Sequence, residues 1–280
     1  MTLKNIAIGY RGSENTDTAL HLAITLSKKY GAALSGLCIN APIAEEPQFR
    51  TWMPETLVRS LQKASDESVQ NAEMKFRETA AAHQFAGPLD WVVEQGDVDE
   101  VLSRAARYHD LLVIGQYTSS DEVSRYRVQP ENVVIRAGRP LLIVPADVTV
   151  QRFERPHVTV AWDGSRSAAR ALSDALLLFG SECVFEVTRV VGKERASEIS
   201  AEPGRDIIKY LTRHGVEARE KLLIAGKHQV AQTLVEHCSK SGSDFLVMGA
   251  YGHSRLREDL FGSVSRTVIE ATKTPVLMAH

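Results

Sequence analysis

The chain has 280 residues, of which 44% are hydrophobic and 24% charged, and its formal net charge is −2. That length favours two domains over one, and the composition excludes a disordered, collagen-like or coiled-coil chain. So small a charge imbalance argues against a nucleic-acid binder or a polybasic membrane-surface protein, and for a small partner.

In chain order, the first half alternates short aliphatic runs with helical segments. Strands are expected near Asn5–Gly9, Ala33–Ile39, Leu89–Glu94, Leu111–Ile114 and Leu141–Val144. After the first strand, Ala19, Leu22, Ala23 and Leu26 recur at i, i+3, i+4 and i+7, which predicts a helix with one apolar face, and Gly31 stands where a C-terminal cap belongs. Between the second and third strands lies a long polar stretch, Pro42 to Gln84, which reads as a loop plus a long helix covering the sheet. Unbroken runs such as LLVI suit strands buried on both faces of a parallel sheet. A polar, proline-ended stretch, Gln151 to Pro156, follows as a linker. The second half then repeats the pattern, with strands near Val158–Ala161, Cys183–Val190, Lys221–Ala225, Phe245–Met248 and Val276–Met278.

The two halves are also alike residue by residue. IAIGYRGS from Ile6 resembles VTVAWDGS from Val158, DLLVIG ending at Gly115 matches DFLVMG ending at Gly249, and RPLLIVP from Arg139 matches TPVLMAH from Thr274. The expectation is an α/β protein with domains at residues 1–147 and 155–280, each a five-stranded parallel sheet flanked by helices. No run approaches the roughly 18 apolar residues of a membrane span, and the start MTLKNIAIGY reads as a cytoplasmic N-terminus. Cys38, Cys183 and Cys238 are far apart, without metal-site spacing, and read as reduced, packed thiols.

In open parallel sheets, ligands bind beyond the carboxyl ends of the strands where the strand order reverses, so the residues after strands one and four are the place to search. In the second half, Asp163 follows strand one. After strand four comes GAYGHSRLREDLFGSVSRTV, with Gly249, Gly252 and Gly262 spaced as G-x2-G-x9-G-S. Glycines let a backbone approach an anion without a Cβ in the way. Gly262, Ser263, Val264 and Ser265 then open a helix, where unpaired backbone N–H groups, two hydroxyls and the positive helix end converge. That pattern reads as a phosphate site. His253, inside the loop, reads as a loop histidine and not a catalytic one.

The tandem halves, the GDVDEVL segment ahead of DLLVIG, and G-x2-G-x9-G-S resemble the universal stress protein (UspA-like) family in its tandem form. The resemblance implies a Rossmann-like fold related to adenine nucleotide α-hydrolases, with some members binding ATP and others not. It implies that Asp163 hydrogen-bonds the ribose or the adenine edge and that the backbone at Val190 meets the adenine. Gly249 and Gly252 would line the ribose and phosphates, and Gly262, Ser263, Val264 and Ser265 would hold the phosphate chain. It further implies pairing through the last strand of each domain, made within the chain as a pseudo-dimer or between chains as a homodimer. The first half departs from the motif: Arg11 stands in place of Asp163, Thr118 replaces the second glycine, and Arg127-Val128-Gln129-Pro130 replaces the glycine-serine segment. No nucleotide site is expected there.

Three functions compete on these residues. The first is a stress-response module that binds ATP, with or without Mg²⁺, in its second domain and is read by a protein partner not identifiable from the sequence. The second is a slow ATP hydrolase, although no base, nucleophile and orienting group stand out together. The third is an interaction scaffold that needs no ligand.

Overall fold

The computed structural model describes residues 3–40, 53–117, 126–148, 154–193, 202–226, 229–250 and 263–280. It resolves into two compact units, Leu3–Arg139 and Pro140–His280. In the first, β1 (Asn5–Gly9), α1 (Glu14–Tyr30), β2 (Ala33–Asn40), α2 (Glu55–Ala82), β3 (Leu89–Gln95), α3 (Val98–Ala106), β4 (Leu111–Gly115) and α4 (Pro130–Ala137) follow one another. The second holds β5 (Leu141–Val144), β6 (His157–Ala161), α5 (Arg166–Phe179), β7 (Val184–Gly192), α6 (Glu202–Arg213), β8 (Glu217–Ala225), α7 (Val230–Ser241), β9 (Phe245–Gly249), α8 (Ser263–Ala271) and β10 (Val276–Ala279).

The first sheet runs β3-β2-β1-β4, with Ile6, Ala7 and Ile8 of β1 wholly buried. β1 pairs in parallel with β2 on one side and β4 on the other, so the strand order reverses beside β1. The residues of LLVIG in β4 are all buried, as expected for a strand covered on both faces. Gly31, at φ 60°, ends α1 in the left-handed conformation that glycine adopts without a Cβ penalty. The polar insertion contributes the long helix α2, of which only Ala72, Phe76 and Ala80 are buried. Residues 42–52 of that insertion lie outside the described residues.

In the second unit the order is β5-β10-β9-β6-β7-β8. β6 lies between β7 and β9, parallel to both, which repeats the reversal. β10 is parallel to β9 but antiparallel to β5, in the register Val276↔Ile143, Leu277↔Leu142 and Met278↔Leu141. This is the pairing of last strands anticipated from the sequence, made inside one chain. The compact units part at Arg139, ahead of β5. The reason is the ladder, which fastens β5 to β10. The helices and sheets give an α/β fold with a mostly parallel sheet. Among the described residues no helix is long and apolar enough to cross a membrane.

Candidate functional site

Beside the reversal in the second unit, β6 and β9 end side by side, with Ala161 opposite Met248. Past Ala161 the ladder to β7 continues for one more bond, from Trp162 N–H to the Thr188 carbonyl at 2.9 Å. Asp163 comes next. It is exposed, and its Oδ1 accepts the Ser165 N–H at 2.9 Å, which folds the turn through Gly164 at φ 76°. Ser165 in turn caps α5, its hydroxyl accepting the Ala168 N–H at 3.1 Å. The carboxylate is therefore held at the strand end by the start of the next helix.

Val190 lies two residues beyond Thr188 on β7 and is half-buried, opposite Leu223 of β8. Backbone groups of a strand face alternate sides with a period of two residues. The Thr188 carbonyl points toward β6, so the peptide groups of Val190 face the same side, and there β6 has already ended. A strand-end carbonyl and N–H are thus turned toward the space next to Asp163.

Gly249 ends β9, and its lack of a side chain has a direct cause. A Cβ there would lie 2.4 Å from the Ala168 nitrogen and 2.6 Å from the Ser167 carbonyl carbon. The first turn of α5 is packed against this glycine. Sequence reading assigned Gly249 to a ligand; the packing accounts for the glycine by itself. The next residue is tied to β10, since Ala250 N–H donates to the Ala279 carbonyl at 2.8 Å. Farther on, Ser263 opens α8, Val264 is half-buried and Ser265 is buried. Gly252, His253, Arg255, Arg257 and Gly262 lie outside the described residues. The structure therefore brings Asp163, Val190 and Gly249 to the carboxyl ends of adjacent strands, and has α8 start at the serine expected to start it.

One polar cluster escaped sequence reading. Glu186, at the middle of β7, is 5% exposed. Its carboxylate is bonded to His237 of α7 and paired with Arg219 Nε of β8 at 2.8 Å, and Arg219 also meets His157 Nε2 at 3.2 Å. Burial pushes the Glu186 carboxyl up, but the His237 bond and the Arg219 charge outweigh it and hold the group below the usual carboxylate range. The signal was a single acidic residue inside VFEVTRV, a strand otherwise read as apolar.

Residues 154–280 match the family model described as the universal stress protein family. That stretch therefore carries a universal stress protein domain. The matched domain is the second half of the chain. Among curated relatives, the universal stress protein Slr1230 of Synechocystis is 25% identical over 174 residues, covering 60% of this chain and 57% of that protein. The universal stress protein YxiE of Bacillus subtilis is 29% identical over 142 residues, 43% of this chain and 96% of its own length. For the fold, the crystal structure of a universal stress protein from Archaeoglobus fulgidus superposes with a TM-score of 0.68 at 17% identity, covering 99% of this chain and 96% of that one. That likeness extends the shared fold over both halves of the chain.

Proposed function

We propose that this chain is a universal stress protein that acts as a regulatory module and binds one adenine nucleotide, ATP with or without Mg²⁺, in residues 155–280. The observation that carries this reading is the outward-facing backbone of Val190 next to Asp163 at the strand-order reversal. A strand-end carbonyl and N–H offer an adenine edge its two hydrogen bonds, and an adjacent carboxylate suits ribose hydroxyls. Gly252, Gly262, Ser263, Val264 and Ser265 complete the reading by their motif, with α8 supplying the positive helix end for phosphate. Gly249 borders the same space through its backbone. The bound state is then read by a protein partner in a stress response. The three cysteines are buried and none is in a disulfide, in keeping with work in the reducing cytoplasm.

Isothermal titration of the full chain with ATP is expected to give one site. Gly262→Val should abolish it while leaving the circular dichroism unchanged, because a branched side chain would fill the phosphate approach. Two equivalent sites, or unchanged affinity in the variant, would contradict the assignment.

Turnover of the bound nucleotide is expected to be slow. A cradle of backbone N–H groups and serines stabilises ATP in its ground state, and acceleration needs groups that act more strongly on the transition state. Hydrolysis should run well below 1 per second, against roughly 10 per second for a typical enzyme. Phosphate release measured under saturating ATP checks this, and ordinary enzymatic rates lost on Asp163→Ala without loss of binding would favour the hydrolase.

A further inference from the structure

The same strand-order reversal occurs beside β1 in the first unit. Resting on the nucleotide reading of the second half, we propose that the first half is a self-liganded copy of the site, in which Arg11 occupies the place of the base and Asp99 the place of a phosphate.

The registers fix which residues correspond. β1 pairs Asn5 with Ala33 as β6 pairs His157 with Val184, so Arg11 answers to Asp163 and Ile39 to Val190. Tyr10 N–H donates to the Leu37 carbonyl at 2.9 Å, as Trp162 N–H does to Thr188. Two residues on, the Ile39 carbonyl faces the same side, and the Arg11 Nη1 donates to it. The guanidinium carbon also lies 3.5 Å from the centre of the Tyr126 ring. A flat, delocalised group that donates to a strand-end carbonyl while stacking on an aromatic face satisfies the carbonyl as the amino edge of a purine would.

The phosphate end is filled independently. α4 begins with Pro130, which has no N–H to offer an anion. The N–H of Gln129 just before it, and the Asn132 side-chain amide in its first turn, donate to the Asp99 carboxylate at 2.8 and 2.9 Å. Asp99 is buried, and it is the second residue of α3. At the second residue of α7 the other unit has Ala231, also buried. The first half thus brings a negative charge to its helix start from within, where the second half has a methyl group. Burial holds the Asp99 carboxyl above its usual range, and the hydrogen bonds from Gln129 and Asn132 at the helix start offset only part of that rise.

The test uses the full chain and inorganic phosphate as probe, against chloride at matched ionic strength. Asp99→Ala should lower the thermal midpoint, and phosphate should then raise that midpoint by more than it raises the wild type's. Phosphate bound in the second half lifts both proteins alike, so the difference reports on α4. Equal shifts in the two proteins would overturn the proposal. Asp99→Ser leaves similar space and should behave the same way; if neither variant folds even in phosphate, the proposal also fails, since the anion is expected to restore both. For the other end, adenosine titrated into Arg11→Ala should show one more site than the wild type, and an unchanged stoichiometry would remove Arg11 from the argument. A wild type that binds no nucleotide at all would sink the reading of the second half, yet leave the phosphate comparison to be decided on its own.

Discussion

Gly249→Ala is expected to destabilise the protein by about 3 kcal/mol, the upper end of the roughly 1–3 kcal/mol that overpacking usually costs. The added methyl would sit 2.4 Å from the Ala168 nitrogen, and a backbone atom in the first turn of a helix has no rotamer into which to retreat. Relief requires α5 to move off β9, with loss of the contacts buried beneath it. Gly115 is the internal control. It ends β4 as Gly249 ends β9, and a Cβ there would lie 2.4 Å from the Asn15 carbonyl oxygen at the start of α1. Gly115→Ala should therefore cost a similar amount in a unit for which no nucleotide site is proposed. Urea unfolding of both variants checks this. A stable Gly249→Ala that merely loses ATP affinity would show that the glycine serves the ligand and not the packing.

Glu186→Gln should cost about 2 kcal/mol near neutral pH, below the roughly 3–5 kcal/mol typical of a broken buried ion pair. The discount follows from the partner: the Arg219 side chain is 59% exposed and stays hydrated alone. The sign with pH is fixed by the direction of the shift. Because the Glu186 carboxyl is held below its unfolded range, its contribution is complete above the unfolded pKa and is lost as the pH falls through the folded one. The gap between wild type and variant, measured as denaturant midpoints, should therefore shrink as the pH falls below the usual carboxylate range. A gap that stays constant would mean that the charge of Glu186 contributes nothing.

The central strands were legible because their environment imposes one rule: LLVIG and FLVMG are apolar throughout since both faces are covered. β8 was read four residues short, from Lys221, although it begins at Glu217. As the last strand of its sheet it exposes most of its side chains, so Glu217, Arg219 and Glu220 fit there and no apolar pattern marks its start. At the site, Asp163 was legible because strand one predictably ends just before it. The reason for Gly249 was not, because a clash with α5 is a contact between segments far apart in sequence. The Glu186 cluster was hidden for the same reason: its partners come from β8 and α7, and no local spacing joins them. Asp99 was read only as part of a family-like segment, and nothing in sequence alone ties it to Gln129 and Asn132.

The ladder between β5 and β10 means that the stretch which repeats in sequence and the stretch which folds as one body are different pieces of chain. A fragment cut at residue 154 to isolate the second repeat would leave behind the strand that shields one side of β10. Val276 and Met278 would then present bare peptide groups along an apolar margin, and two such fragments could each lend the other the missing neighbour. Dissecting the chain at its evident repeat boundary would thus manufacture a sticky dimer from a part whose cohesion, in the intact molecule, is borrowed from four residues upstream of the cut.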